Sequence, residues 1–249
     1  MPRPAHTICL ALILMVTRGA AVAAPLALLD RNGSHVSIEA YAPNIVRVTL
    51  SVDKDLALAP PGFGIMAAAD ASGWKHRTLP SGDEFSSDLM SLEVKAQPWP
   101  NPPSQMERYF APSLPPVSVT VRTPGGKPIL QMSGWEMAPH TVNGEKTFRV
   151  GATFQAPADE HYYGLGQNQE GVLDYRGRSI DCKHFYDAPA GETVCVPFLV
   201  TNKGYGIVWD NPSDTVVSAG LHDHTTWKSK VGERVSYFVI TGATLDELY

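Results

Sequence analysis

Beyond its N-terminus the chain has no long apolar run. A membrane-crossing helix takes about 20 consecutive apolar residues, and no later stretch approaches that. The exception is the start. Arg3 precedes the nearly unbroken apolar run Thr7–Val16, Arg18 cuts that run short, and Ala21-Val22-Ala23 is a small-x-small cleavage site. This is the pattern of a secretory signal peptide. The expectation is a leader over 1–23 and an exported product, secreted or periplasmic, with no membrane attachment after cleavage. About 226 residues then remain, enough for a real core.

Positive charge is also short. The chain has 20 Lys and Arg against 25 Asp and Glu, a net charge of −5. Without Arg3 and Arg18 the balance is about −7 at ordinary ionisation states. Nucleic acid and anionic membranes need a basic face, so the composition argues against both as partners. Cysteine is scarce as well. Of three, Cys9 leaves with the leader, so Cys182 and Cys195 are left. An even pair in an oxidising compartment points to a bridge, worth about 3 kcal/mol for a loop of that size. Two reduced thiols facing apart are the alternative, because sequence does not fix their Cα separation.

Long helical patterns are missing, and strands take their place. Gly and Pro number 21 each in 249 residues, above the roughly 12% average usage, so turns are frequent. Val36, Ile38 and Ala40 alternate onto one side of His35–Ala40. Val46, Val48 and Leu50 do the same in Ile45–Leu50, with Arg47 on the other side. Val117–Thr123 is the cleanest period-2 run, and Asn143-Gly144 is a strong hairpin signal before Thr147–Phe154. Further short strands are read at Trp74–Leu79, Glu84–Ser87, Leu89–Val94, Pro128–Met132, Thr215–Ser218, Thr225–Lys228 and Arg234–Ile240. Ile65–Ala71 is Ala-rich, with a short helix as an option between Gly64 and Gly73. Gln97–Pro116 holds seven prolines, which exclude ladder and helix alike. Its aromatics Trp99, Tyr109 and Phe110 serve better to pin that loop to the body than to stack on a ligand. Short strands at regular spacing make an all-β, large antiparallel sandwich the expected fold.

The chain is organised around 160–211. His161–Leu165 is a short aromatic run, with Gly164 and Gly166 placed for a sharp turn. Thr193–Thr201 reads as a second strand with Pro197 interrupting its donors, and Lys203-Gly204 turns it into Tyr205–Asp210 as a hairpin. Between the runs lies a long polar loop carrying Gln167, Asn168, Asp174, Arg176, Arg178, Asp181, His184, Tyr186 and Asp187. Loops of that length are usually functional or disordered, and these side chains suit a hydroxyl-rich ligand. Arg176 and Arg178 are expected to pair with acids such as Asp174 and Asp181.

The succession Y-G-L-G-Q…Y-R-G…V-P-F-L-V-T-N-K-G-Y-G-I-V-W-D-N resembles the N-terminal β-sandwich of glycoside hydrolase family 31, which includes α-glucosidases and α-xylosidases. Gln167, where many members have Glu, is similar to bacterial α-xylosidase-like members. The resemblance implies a galactose mutarotase-like super-sandwich over 24–243. It also implies that an α-linked oligosaccharide and a catalytic (β/α)8 barrel, of the same or a neighbouring chain, are the partners. In the family a loop of this domain reaches over the barrel mouth. By position, His184 to Asp187, and with them Gln167 and Asn168, would play that part; Asp187-Ala188-Pro189 as a plain turn is the alternative. Thr244-Leu245-Asp246-Glu247 is a capping box, so 244–249 reads as the start of the helix that leads, in the family, into the barrel.

The catalytic residues of that family are not expected here. Glycoside hydrolysis takes two carboxyls across the scissile bond, and the family's W-x-D-x-x-E-like barrel motif has no counterpart in the sequence. No catalytic residue, cofactor or metal is therefore assigned. His222-Asp223-His224 would place two imidazoles on one face if extended, but it looks more like a hairpin end. The expected function is that of a non-catalytic domain of an α-glycosidase. A stand-alone carbohydrate-binding module and a mutarotase-like sugar epimerase are the alternatives, the last resting on fold kinship alone.

Overall fold

A computed structural model describes residues 25–31, 33–62, 64–96, 117–168, 171–182, 185–187 and 191–249, without side chains for 185–187 and 191–193. The expected leader, the proline-rich 97–116 segment with its aromatics, and His184 lie outside the described residues.

Alternation at a period of two residues builds the first sheet. β1 (Ala27–Arg31), β2 (Ser34–Ala42) and β3 (Ile45–Ser51) form a meander. β18 (Val235–Thr241), β15 (Tyr205–Trp209), β14 (Phe198–Thr201) and β10 (Tyr162–Gly164) extend it to seven antiparallel strands in the order β1-β2-β3-β18-β15-β14-β10. The second sheet has nine strands, ordered β11-β16-β17-β9-β8-β7-β6-β5-β4. These are β4 (Lys75–Leu79), β5 (Gly82–Ser86), β6 (Ser91–Ala96), β7 (Val117–Arg122), β8 (Pro128–Val142), β9 (Glu145–Gln155), β11 (Arg178–Cys182), β16 (Thr215–Leu221) and β17 (His224–Gly232). A two-stranded ribbon, β12 (Phe185–Asp187) with β13 (Gly191–Thr193), stands apart. The all-β sandwich is as expected.

The two sheets bury their facing residues against one another. Val36, Ile38, Val46, Val48, Tyr237 and Trp209 of the first sheet join Phe154, Trp227 and Val119 of the second in one core. Trp209 stacks on Trp227 with ring centroids 5.5 Å apart. Each such side chain contributes on the order of 2 kcal/mol by leaving water. At the β8–β9 turn Asn143 and Gly144 have φ of 51° and 85°. Positive φ at both central residues matches the right-handed twist of the strands it joins.

Several sequence readings are corrected. Residues 64–73 are irregular. The helix forms instead at Lys54–Leu58, where Asp53 accepts hydrogen bonds from the amides of Asp55 and Leu56 at 2.8 and 3.0 Å, satisfying donors that a helix start leaves open. Thr193–Thr201 is not one strand. β13 ends at Thr193 and β14 begins at Phe198, because Pro197 has no N–H and Cys195 is drawn into a disulfide. The polar loop is not structureless either, since β11 within it pairs with β16. At 244–248 the capping box makes a single turn: Thr244 Oγ1 accepts from the Glu247 amide at 3.3 Å, and Glu247 Oε2 accepts from the Ala243 amide at 2.6 Å.

The outward face of the seven-stranded sheet is not open to water at its centre. Ser37, Glu39, Arg47, Thr49, Ser236 and Phe238 are all buried. The helix lies against β2 and β3, and the residues after it continue the cover, with the Gly62 amide donating to Asp210 Oδ1 at 2.9 Å.

Candidate functional site

The polar loop leaves the sandwich through three successive residues in the left-handed region, Gly164, Leu165 and Gly166, with φ of 101°, 58° and 77°. Leu165 is fully buried and its amide donates to the Phe198 carbonyl at 2.8 Å, which holds a non-glycine residue in a conformation it rarely adopts. A Cβ on Gly164 would lie 2.5 Å from that same carbonyl oxygen, and one on Gly166 would overlap the carbonyl of Val194. Only glycine fits at either position. Gln167 and Val194 then exchange backbone hydrogen bonds of 2.9 and 3.1 Å. The next residue, Cys195, is bonded to Cys182 at the end of β11, with Cα atoms 5.2 Å apart.

The residues expected to face a sugar separate at this root. Gln167 is exposed. Asn168 is turned inward, its Nδ2 donating to the Leu165 carbonyl at 3.2 Å and to the Tyr175 hydroxyl at 3.1 Å, so its amide nitrogen braces the loop. Asp187 ends β12 opposite Gly191.

Beneath the loop is a cluster that sequence inspection missed. Glu160 is 1% exposed and accepts hydrogen bonds from the hydroxyls of Tyr162 at 2.7 Å and Tyr205 at 2.6 Å. Burial pushes its carboxyl above the ordinary glutamate range, even though both phenols favour the charged form. Burial, and then Glu160 itself, pushes the phenols of Tyr162 and Tyr205 upward. Arg176 does not pair with Asp174 as expected. Its Nη1 donates to the carbonyls of Pro157 at 2.9 Å and Glu160 at 2.8 Å. Asp174 instead faces His161 Nδ1 at 2.6 Å and accepts from the amides of Tyr162 and Arg176, both at 3.0 Å. Partial burial pushes its carboxyl upward, but these bonds and the imidazole hold it below the usual range. No periodicity flags Glu160 or His161; the signal was their position at the head of the aromatic run.

A second buried charge cluster lies under the covered outer face. Arg47, fully buried, donates through Nη1 to Glu39 at 2.6 Å and through Nη2 to Asp210 at 3.1 Å, while its Nε donates to Ser236 at 3.0 Å. The alternation placed Arg47 opposite the core correctly, but nothing in it revealed the cover.

His222 and Asp223 have φ of 50° and 61° and form the β16–β17 turn. The segment is not extended, so its imidazoles do not share a face. Among the described residues no group of three or more His, Cys, Asp or Glu is arranged to hold a metal. At one end of the sandwich, a cleft of about 670 Å³ is lined by Asn44, Thr123, Asn202 and Lys203 together with Leu89, Pro124 and Ile129.

Two large antiparallel sheets, with a polar ribbon rooted on a glycine-locked turn, define a galactose mutarotase-like sandwich. The chain belongs to the glycosyl hydrolase 31 N-terminal galactose mutarotase-like domain family, whose description matches residues 35–217. It is 30% identical over 119 residues to an uncharacterized family 31 glucosidase of Pseudescherichia vulneris, covering 48% of this chain and 21% of that protein. It is 32% identical over 111 residues to an alpha-xylosidase of Saccharolobus solfataricus, covering 41% and 14% respectively. Among solved structures, the GH31 alpha-xylosidase from Xanthomonas citri shares the fold at a TM-score of 0.71 and 14% identity, over 90% of this chain and 39% of that one. A GH31 alpha-xylosidase from a soil metagenome, complexed with xylose, gives 0.66 at 20% identity, over 87% and 31%. The chain thus spans well under half the length of the relatives it matches.

Proposed function

We propose that the chain acts in carbohydrate metabolism as the non-catalytic N-terminal module of a family 31 α-glycosidase, working with a (β/α)8 barrel of the same or a neighbouring chain. The supporting observation is the match of one sandwich, nearly end to end, to the corresponding minor part of much longer GH31 enzymes. The module offers the barrel a packing surface and a carbohydrate-facing loop. For the surface, Val196, Leu245 and Tyr249 are 50%, 47% and 76% exposed, and the Tyr249 ring meets that of Phe198 at 5.4 Å. Large apolar side chains left exposed in this way are the kind an interface covers. For the loop, Gln167 stands exposed at its root, and His184 and Asp187 are its further polar candidates. An aspartate accepting from a sugar hydroxyl makes the stronger, charge-assisted bond. The leader-like 1–23 stretch supports export.

The test is hydrolysis of an aryl α-xyloside and an aryl α-glucoside by the purified chain, alone and with a family 31 barrel lacking its own sandwich. Release only in the mixture is expected; release by the chain alone ends the reading. The cleft of about 670 Å³, lined by both apolar side chains and the amides of Asn44 and Asn202, favours a free carbohydrate-binding module as the second reading. Calorimetry with α-linked di- and trisaccharides on the chain alone separates the two.

A further inference from the structure

We propose that the Cys182–Cys195 bond is a clasp closed on export: it holds one end of the sandwich edge where β10 and β11 lie, and in a reducing compartment that end stands open. β10 and β11 are edge strands of different sheets, and no ladder joins them. A sheet edge left unpaired is a liability that proteins cover or blunt.

The two ends of this edge are joined by different chemistry. At one end the link is polar. The Tyr175 amide donates to the Tyr162 carbonyl at 2.9 Å, the Gly177 amide to the Ala219 carbonyl at 2.7 Å, and Arg176 to the Glu160 carbonyl. At the other end β11 finishes at Cys182, opposite Thr215 of β16. The continuation of β10 reaches Gln167, which is bridged to Val194. Cys195 follows Val194, and its bond to Cys182 spans from one sheet's edge to the other's. The clasp also fixes Val194 and Val196 against the close approach of Gly166, so the root of the polar loop and the edge are held by the same bond.

Both cysteines are only 8% exposed. A bond buried to that degree is shielded from attacking thiolates once made, so the clasp closes once and does not cycle. The step balances as thiol–disulfide exchange with a small-molecule or protein disulfide. One cysteine thiolate attacks the oxidant and expels a thiol. The second thiolate then attacks the mixed disulfide, and the oxidant leaves as two thiols carrying both electrons and both protons. The compartment half of this proposal rests on the exported reading above; the edge half stands on geometry.

Hydrogen exchange on the full chain tests the edge half, comparing oxidised protein, protein refolded in a dithiol, and the Cys182→Ser, Cys195→Ser double variant. Protection of the β11 amides and of Val194 is expected to fall at least tenfold in both thiol forms, with β18 unchanged. Unchanged protection at β11 overturns the proposal, and so does a uniform loss across β18, which would make the bond a requirement of the whole fold. Thiol counting by alkylation and mass tests the compartment half, on the cytoplasmic fraction of expressing cells (inside) and on their pooled periplasm and medium (outside). Two free thiols inside and none outside are expected. Two free thiols outside overturn it, and absence of the chain from the outside fraction removes the exported reading while the exchange result stands.

Discussion

Asp210 meets the Arg47 guanidinium at 3.1 Å, with side-chain exposures of 7% and 0%. With Glu39 on the other side of that guanidinium, one buried cation balances two carboxylates. Removing one partner of a buried ion cluster leaves uncompensated charge, at a cost of about 3–5 kcal/mol. Arg47→Met should therefore lower the urea-denaturation free energy by that order. Adding Glu39→Gln and Asp210→Asn should recover much of it, because neutral amides need no counter-charge. A triple variant no better than Arg47→Met would show that packing of the guanidinium, not its charge, is what matters.

Gly166→Ala should be costly, by about 1–3 kcal/mol, since a left-handed non-glycine residue is strained and the new methyl meets the Val194 carbonyl. Gly33→Ala is the control. Its φ is also positive, at 81°, but a Cβ there meets nothing within 4 Å. Thermal melting should show the larger loss at Gly166; equal losses would mean the Val194 contact relaxes without cost.

Glu160 and Asp174 should give opposite pH signatures. The folded-state pKa of Glu160 is raised, so its contribution favours the fold at low pH and is lost as pH rises through the carboxylate range. That of Asp174 is lowered, so its contribution is present at neutral pH and lost as pH falls through the acid range. Relative to the parent, Glu160→Gln should gain melting temperature as pH rises from about 4 to 7, whereas the deficit of Asp174→Asn should be constant over that interval and shrink as pH falls below about 4. Parallel curves for both variants would contradict the assignment.

Across the other edge of the sandwich, Asp83 of β5 bonds Arg31 of β1 and also takes His76 at 2.6 Å and Thr78 at 3.0 Å, both of β4. Asp83→Asn should cost about 1–3 kcal/mol, as expected when a charged hydrogen-bonding partner is weakened. Faster hydrogen exchange should be confined to β1 and β4. Exchange rising equally in β18 would show that this aspartate supports the whole sandwich rather than its edge.

What was legible in the sequence follows from what period-2 alternation carries. It reports which side chains share a face, so Val36, Ile38, Val46 and Val48 were placed correctly on the core side. It does not report whether the opposite face is covered. Arg47 therefore read as an ordinary outward charge, when residues 54–62 lie over it. The Ala-rich 65–71 run lost to Lys54–Leu58 because Asp53 supplies a cap and the alanines have none. The organising stretch was found through its glycines, and the Cys182–Cys195 bridge that it holds was one of two options the cysteine count left open, yet the pairing of Tyr205 with Glu160 was not found, because it joins residues far apart in the chain and leaves no local trace. Arg176 misled for a related reason: charge implies an acid partner, but backbone carbonyls were nearer.

The three left-handed residues at 164–166 have a consequence for how such a domain can vary. Because the Phe198 and Val194 carbonyls press on that backbone, the turn tolerates almost no alteration, while everything distal to Gln167 is attached through it and not woven into the main sheets until β11. Descendants of this scaffold are free to lengthen, shorten or rewrite the overhang, and so to change what it touches, as long as those glycines keep the socket's shape.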